Sequence, residues 1–195
     1  MGHGAEVEMP HEEHDPFVKR IALCVAIYAV ILAVAGAGGK NAGKDLISEQ
    51  IETSNQWARY QAKAVREAIY INDLEKYELE KEKGLSPDAD AKVSKSIDRV
   101  KKKLEEYKKD KEEIMAEAKS HEAARDTAHK KDGYFDYAEL LLQIAIVLAS
   151  VAMLAKARWA FYLSAALVAV AMLCTVNGYT LAIHIGFMEA LSPER

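Results

Sequence analysis

Apolar residues do not spread evenly along this chain. They collect in three blocks, with a charged stretch between the first and the second. The first block runs from Phe17 to Gly39, opens on Lys19 and Arg20, and carries no charge from Ile21 onward. A helix needs about 20 apolar residues to cross the hydrocarbon core of a bilayer, so the pattern predicts a first transmembrane helix over 17–39. A cleaved signal peptide fits less well. The run is too long for an h-region, and a polar His- and Glu-containing tail, 1–16, precedes it. The second block, 133–155, and the third, 159–185, are separated only by Lys156, Ala157 and Arg158. That spacing predicts two more spans in a tight antiparallel pair, followed by a short tail, 186–195.

The stretch 40–132 lacks cysteine and has almost no turn signals apart from Gly84-Leu85-Ser86-Pro87-Asp88. Gly84 suits a helix C-terminus, Ser86 a cap and Pro87 a first helical position, and Asp88 and Asp90 favour the positive end of the helix dipole. The expectation is an extramembrane antiparallel hairpin with its tip at 84–87. One helix should run from about Asp45 to Lys83 and another from Pro87 to about Lys130, each about 60 Å long. In the second of these, Val93, Ile97, Val100, Leu104, Tyr107, Lys111, Ile114, Ala118, His121, Arg125 and Ala128 alternate four-three, the heptad register of a coiled coil. Its outer face pairs Lys101 with Glu105, Lys102 with Glu106 and Lys108 with Glu112 at four-residue spacing. The first helix carries two stripes. One contains Ile47, Ile51, Val65 and Ile69, and the other Trp57, Tyr60, Ala64, Ile71 and Leu74. Two stripes on one helix point to a further neighbour beyond its own hairpin partner, or to aromatics at a water-facing or membrane-near surface.

The fold class is therefore all-α: an integral membrane protein with three transmembrane helices and a long extramembrane hairpin between spans one and two. Composition sharpens this. Half the residues are apolar and 29% are charged, yet the net charge is only −4. Nucleic-acid binding needs a one-sided basic excess, so it is not expected. Cys24 and Cys174 both lie in apolar blocks and act as small apolar residues rather than a disulfide framework. Lys156 and Arg158 make a short basic loop, which predicts a cytoplasmic loop, a cytoplasmic N-terminus and an external hairpin. Lys40, Lys44, Lys130 and Lys131, on the hairpin side, pull the other way. Tyr134, Phe135 and Tyr137, and Trp159, Phe161 and Tyr162, suit membrane interfaces.

Candidate sites are few. On the first span Ala22, Ala26, Ala29, Ala33 and Gly36 form a small-residue face that permits close helix approach. Glu139, Gln143, Asn177 and Thr180 are a candidate intramembrane polar cluster, joined by Asp136, Thr175 and His184 along the same helices. Ionisable groups within spans are costly and often functional; the alternative is a hydrogen-bonded clamp near the interface. His3, His11, Glu12, Glu13, His14 and Asp15 crowd the N-terminus, but His11 and His14 lack the spacing of a zinc-protease helix. His121 and His129 read as solvated helix residues. The glycines Gly36, Gly38 and Gly39 end an apolar run rather than follow a strand, so no phosphate loop is expected. No catalytic residue, cofactor or metal site is expected.

The run Thr53-Ser54-Asn55-Gln56-Trp57-Ala58-Arg59-Tyr60-Gln61-Ala62-Lys63-Ala64 resembles the signature of a bacterial membrane family known as domain-of-unknown-function family 4337. Phe135 to Leu148 and Asn177-Gly178 share that resemblance, which covers nearly the whole chain. It implies a span, a helical segment and two closing spans, with no assigned activity. Read physically, Ser54, Trp57, Gln61 and Ala64 share one helix face and suit a helix–helix interface. The function expected is a non-enzymatic, self-associating structural subunit in the bacterial inner membrane, in contact with lipid and with further copies of itself. The alternatives are a channel or transport subunit using the region of Glu139 and Asn177, or an accessory or sensor subunit docking a partner through the hairpin.

Overall fold

The computed structural model describes residues 16–182, and among these all regular structure is helical. Helix α1 covers Pro16–Glu82, α2 Pro87–Ala155 and α3 Arg158–Thr180. Each is long and apolar enough over part of its length to cross a membrane. The N-terminal histidine cluster and His184 lie outside the described residues, as does the end of the third apolar block.

The helix boundaries differ from the sequence reading in one respect. No helix starts near Asp45 or stops near Lys130; α1 has 67 residues and α2 has 69, each without interruption. Gly36, Gly38 and Gly39 do not end α1, because none takes the positive φ of a helix stop. Among the described residues Gly84, at φ 77, is the single glycine that does. There the Lys83 and Gly84 amides close back on the Glu80 and Lys81 carbonyls, and Ser86 accepts from the Asp90 amide to start α2 at Pro87.

The second turn is tighter. The Ala157 amide bonds to the Ala152 carbonyl at 3.1 Å, and Lys156 takes a left-handed φ of 48. This is a helix stop built without glycine. Helix α3 ends the same way: Leu181, at φ 49, donates its amide to the Asn177 carbonyl at 2.7 Å.

The chain divides into two compact units. In the first, which contains the described residues 16–42 and 130–182, the three apolar stretches pack together. Helix α1 buries Ile21, Tyr28, Ala35 and Ala42, which recur every seven residues. Helix α2 buries Phe135, Ala138, Leu142, Ala145, Ala149 and Ala152, in strict three-four alternation, and α3 buries Ala160, Ser164, Val168, Ala171 and Thr175. Alanine dominates these faces, and such small side chains let helix backbones approach closely.

In the second unit, 43–129, two helical segments run side by side in opposite directions. Contacts step from Glu49–His121 through Trp57–Glu122, Lys63–Asp110, Glu67–Lys111 and Tyr70–Tyr107 to Glu78–Lys101 and Lys81–Asp90. Every one of the eleven heptad positions of α2 named above is buried or half-buried here.

Candidate functional site

Within the first unit, glycines on α1 and α3 meet one aromatic ring on α2. Phe135 is only 2% exposed. The sequence reading assigned it to a membrane interface. Instead its ring fills a hollow that glycines leave on two other helices. A Cβ on Gly178 would stand 2.9 Å from its Cζ, and one on Gly38 would overlap the ring outright. Tyr179 meets the same ring edge-on, with centroids 4.9 Å apart, and donates its hydroxyl to the Val34 carbonyl at 3.3 Å.

One turn along α2, Glu139 lies over α1. Its Oε1 would be 3.3 Å from a Cβ on either Gly36 or Gly39, so the carboxylate rests on nearly bare backbone and is half-buried. The other members of the predicted polar cluster divide. Asn177 is buried, whereas Gln143 and Thr180 are exposed, and Thr180 turns its hydroxyl back to the Val176 carbonyl at 2.9 Å. Thr175 does the same with Ala171. Asp136 is exposed. Glu139 and Asn177 thus sit inside the helix packing while Gln143 and Thr180 face out of it.

The predicted small-residue face of α1 is not the one used within the chain. Ala22, Ala26, Ala29 and Ala33 are exposed, and Gly36 is half-buried beneath Glu139. The face that packs, with Ile21, Tyr28 and Ala35, escaped notice because every side of an apolar span looks alike by composition. The seven-residue recurrence is the signal that identifies it.

In the second unit the aromatic stripe of α1 turns partly inward. Trp57 donates its indole N–H to Glu122 at 2.9 Å and meets Tyr60 edge-on at 5.6 Å. Ala64 and Leu74 are half-buried, but Ser54, Gln61 and Ile71 are exposed. The two sides are cross-linked by charge. Lys63 pairs with Asp110 and lies over the Tyr107 ring, and Lys111 pairs with Glu67 and lies over Tyr60. The bond from Glu67 holds the Lys111 ammonium above its ordinary pKa. His121 Nδ1 lies 2.6 Å from Glu49 Oε2, so this histidine is engaged in the seam rather than solvated. A shallow hollow of about 200 Å³ lined by Arg59, Lys63, Asp110 and Glu117 is part of the same charged seam.

Among the described residues no cluster of three or more His, Cys, Asp or Glu side chains could hold a metal. The strongest features of both units are helix-to-helix contacts. A family model described as "Domain of unknown function (DUF4337)" matches residues 17–181. No curated protein and no solved structure matches the chain.

Proposed function

This chain belongs to the family described as domain of unknown function DUF4337, and we propose that it is a non-enzymatic membrane scaffold that associates with copies of itself. In this reading α1, α2 and α3 cross the bilayer through their apolar stretches, and 43–129 is an extramembrane coiled-coil hairpin. The basic turn at Lys156 and Arg158 favours a cytoplasmic N-terminus and turn, with the hairpin on the other side of a bacterial inner membrane.

The observation that carries the reading is the exposure of Ala22, Ala26, Ala29 and Ala33 on α1. A lone span gains nothing from small outward residues, since lipid packs as well against leucine. A neighbouring helix does gain, because its backbone can come close. Extraction in mild detergent followed by mass measurement tests the proposal. Particles of two or more chains are expected, and a strictly monomeric particle would end it.

A second reading is favoured by the Glu139 carboxylate lying against Gly36 and Gly39 within the apolar unit. Ionisable groups inside apolar helix packing often mark ion or proton paths, so several copies could form a conducting assembly. Ion flux through reconstituted vesicles, lowered by Glu139→Gln, would support it. The absence of flux in both forms removes it.

A further inference from the structure

Within 43–129, α1 has an inward side and an outward side of opposite character. The inward side carries Thr53, Gln56, Tyr60, Lys63, Glu67 and Tyr70, buried or half-buried. On the other side of the helix, at 3.6 residues per turn, stand Ile47, Ile51, Ala58, Val65 and Ile69. The four branched residues among these are 54–62% exposed, and Ala58 is exposed as well. The gaps between them are filled by Ser54, Asn55, Gln61, Ala62 and Asn72, all exposed and none ionisable. Glu52, Arg59 and Arg66 stand only at the border of this sector.

The outward side of α2 in the same unit shows what a water-facing side looks like in this protein. It carries Lys102, Glu105, Lys108 and Glu112, all exposed. The lack of charge on α1 is therefore local. Ile51, Ser54, Ala58, Gln61 and Val65 also follow the alternating three-four spacing of a two-helix seam.

One occupant fits both facts. Copies anchored in one membrane stand the same way up, so a symmetric α1–α1 contact is parallel and sets each residue beside its own counterpart. A charged residue there would meet its like and repel; a neutral sector meets no such penalty. A lipid surface would instead favour a Lys- and Arg-rich border with Trp or Phe in the apolar sector, and this border mixes Glu52 with Arg59 and Arg66. We infer that the outward face of α1 between Ile47 and Ile69 docks the same face of a second copy of this chain, parallel and in register. The inference rests on the self-associating membrane reading and adds the surface, the partner and the direction.

The full-length chain in native membranes provides the test. Ala58→Cys and Val65→Cys, oxidised with copper–phenanthroline, are each expected to give disulfide-linked dimers well above the yield of the parent chain with Cys24 and Cys174. A disulfide requires Cα atoms about 4.4–6.8 Å apart. Lys108→Cys, on the outward side of α2, is expected to stay at the parent level. Adding Ala58→Glu to the Val65→Cys chain should cut its dimer yield at least about tenfold, a change of about 1.4 kcal/mol. A multi-chain particle in detergent with no linkage at either position, or with equal linkage at Lys108→Cys, overturns the inference and leaves self-association standing. A monomeric particle without linkage overturns both.

Discussion

The ring of Phe135 occupies the space where a side chain on Gly178 would begin: a Cβ there would be 2.9, 3.0 and 3.1 Å from three of its carbons. The ring is also met edge-on by Tyr179 and is only 2% exposed, so it has little room to yield. Gly178→Ala is expected to destabilise the detergent-solubilised chain by about 1–3 kcal/mol, the usual effect of overpacking, and Gly38→Ala similarly. Gly133 is the contrast, since a Cβ there meets nothing within 4 Å. Gly133→Ala should stabilise the interior of α2 by about 0.5–1 kcal/mol. Thermal unfolding followed by circular dichroism separates the two signs; a Gly178→Ala chain that melts with the wild type would contradict the packing.

Thr53 is 4% exposed, and its hydroxyl is the one buried side-chain polar atom among the described residues with no hydrogen-bond partner. Burying an unmet hydroxyl costs about 1–3 kcal/mol. Thr53→Val replaces it with a methyl of similar outline and should raise stability by about 1 kcal/mol, visible as a higher unfolding midpoint. A drop would mean that the hydroxyl has a partner in solution.

The pair between Lys111 and Glu67 makes a pH prediction. The bonded ammonium has a raised pKa in the folded chain. Its contribution is complete below the unfolded value and disappears as pH rises through the higher folded one. Stability should therefore fall more steeply above the ordinary lysine pKa of about 10.4 in the wild type than in Lys111→Met. Identical alkaline slopes would show that the pair adds nothing.

If Ala26 and Ala33 face a neighbouring copy, then widening them separates the copies. Ala26→Leu with Ala33→Leu is expected to weaken self-association at least about tenfold, or about 1.4 kcal/mol. Both residues are exposed within the chain, so its own stability should hardly change. Analytical ultracentrifugation in detergent, alongside the melting curve, reads the two effects separately.

What could be read in advance follows the contrast that the sequence offers. In 87–129 charged and apolar positions differ sharply, and the heptad from Val93 to Ala128 falls on buried or half-buried positions throughout. The turn at Gly84 was legible for the same kind of reason, because glycine, serine and proline stand out in a helix-forming context. Inside the spans that contrast vanishes. The Ala22 stripe and the Ile21–Tyr28–Ala35 stripe are equally regular, and only packing tells which of them meets α2 and α3. Phe135 looked like an interfacial aromatic because its hollow is assembled from Gly38 and Gly178, which lie 140 positions apart. The continuity of α1 past Gly39 was likewise hidden, since Gly36, Gly38 and Gly39 resemble a helix stop until their φ is known. Glu139 and Gln143 share a helix and a spacing, yet one lies against α1 and the other is exposed.

Lys156 occupies a backbone conformation in which glycine would be at ease, at φ 48. For an L-residue that conformation costs about 1–2 kcal/mol. The turn between α2 and α3 thus keeps a lysine where glycine would sit with less strain. If α2 and α3 cross a bilayer as proposed above, a cation at their bend resists being dragged through it. On the proposed topology, a Lys156→Gly chain should fold at least as readily and yet lose part of its preference for which way up it inserts, as read by protease protection of the hairpin in membrane vesicles.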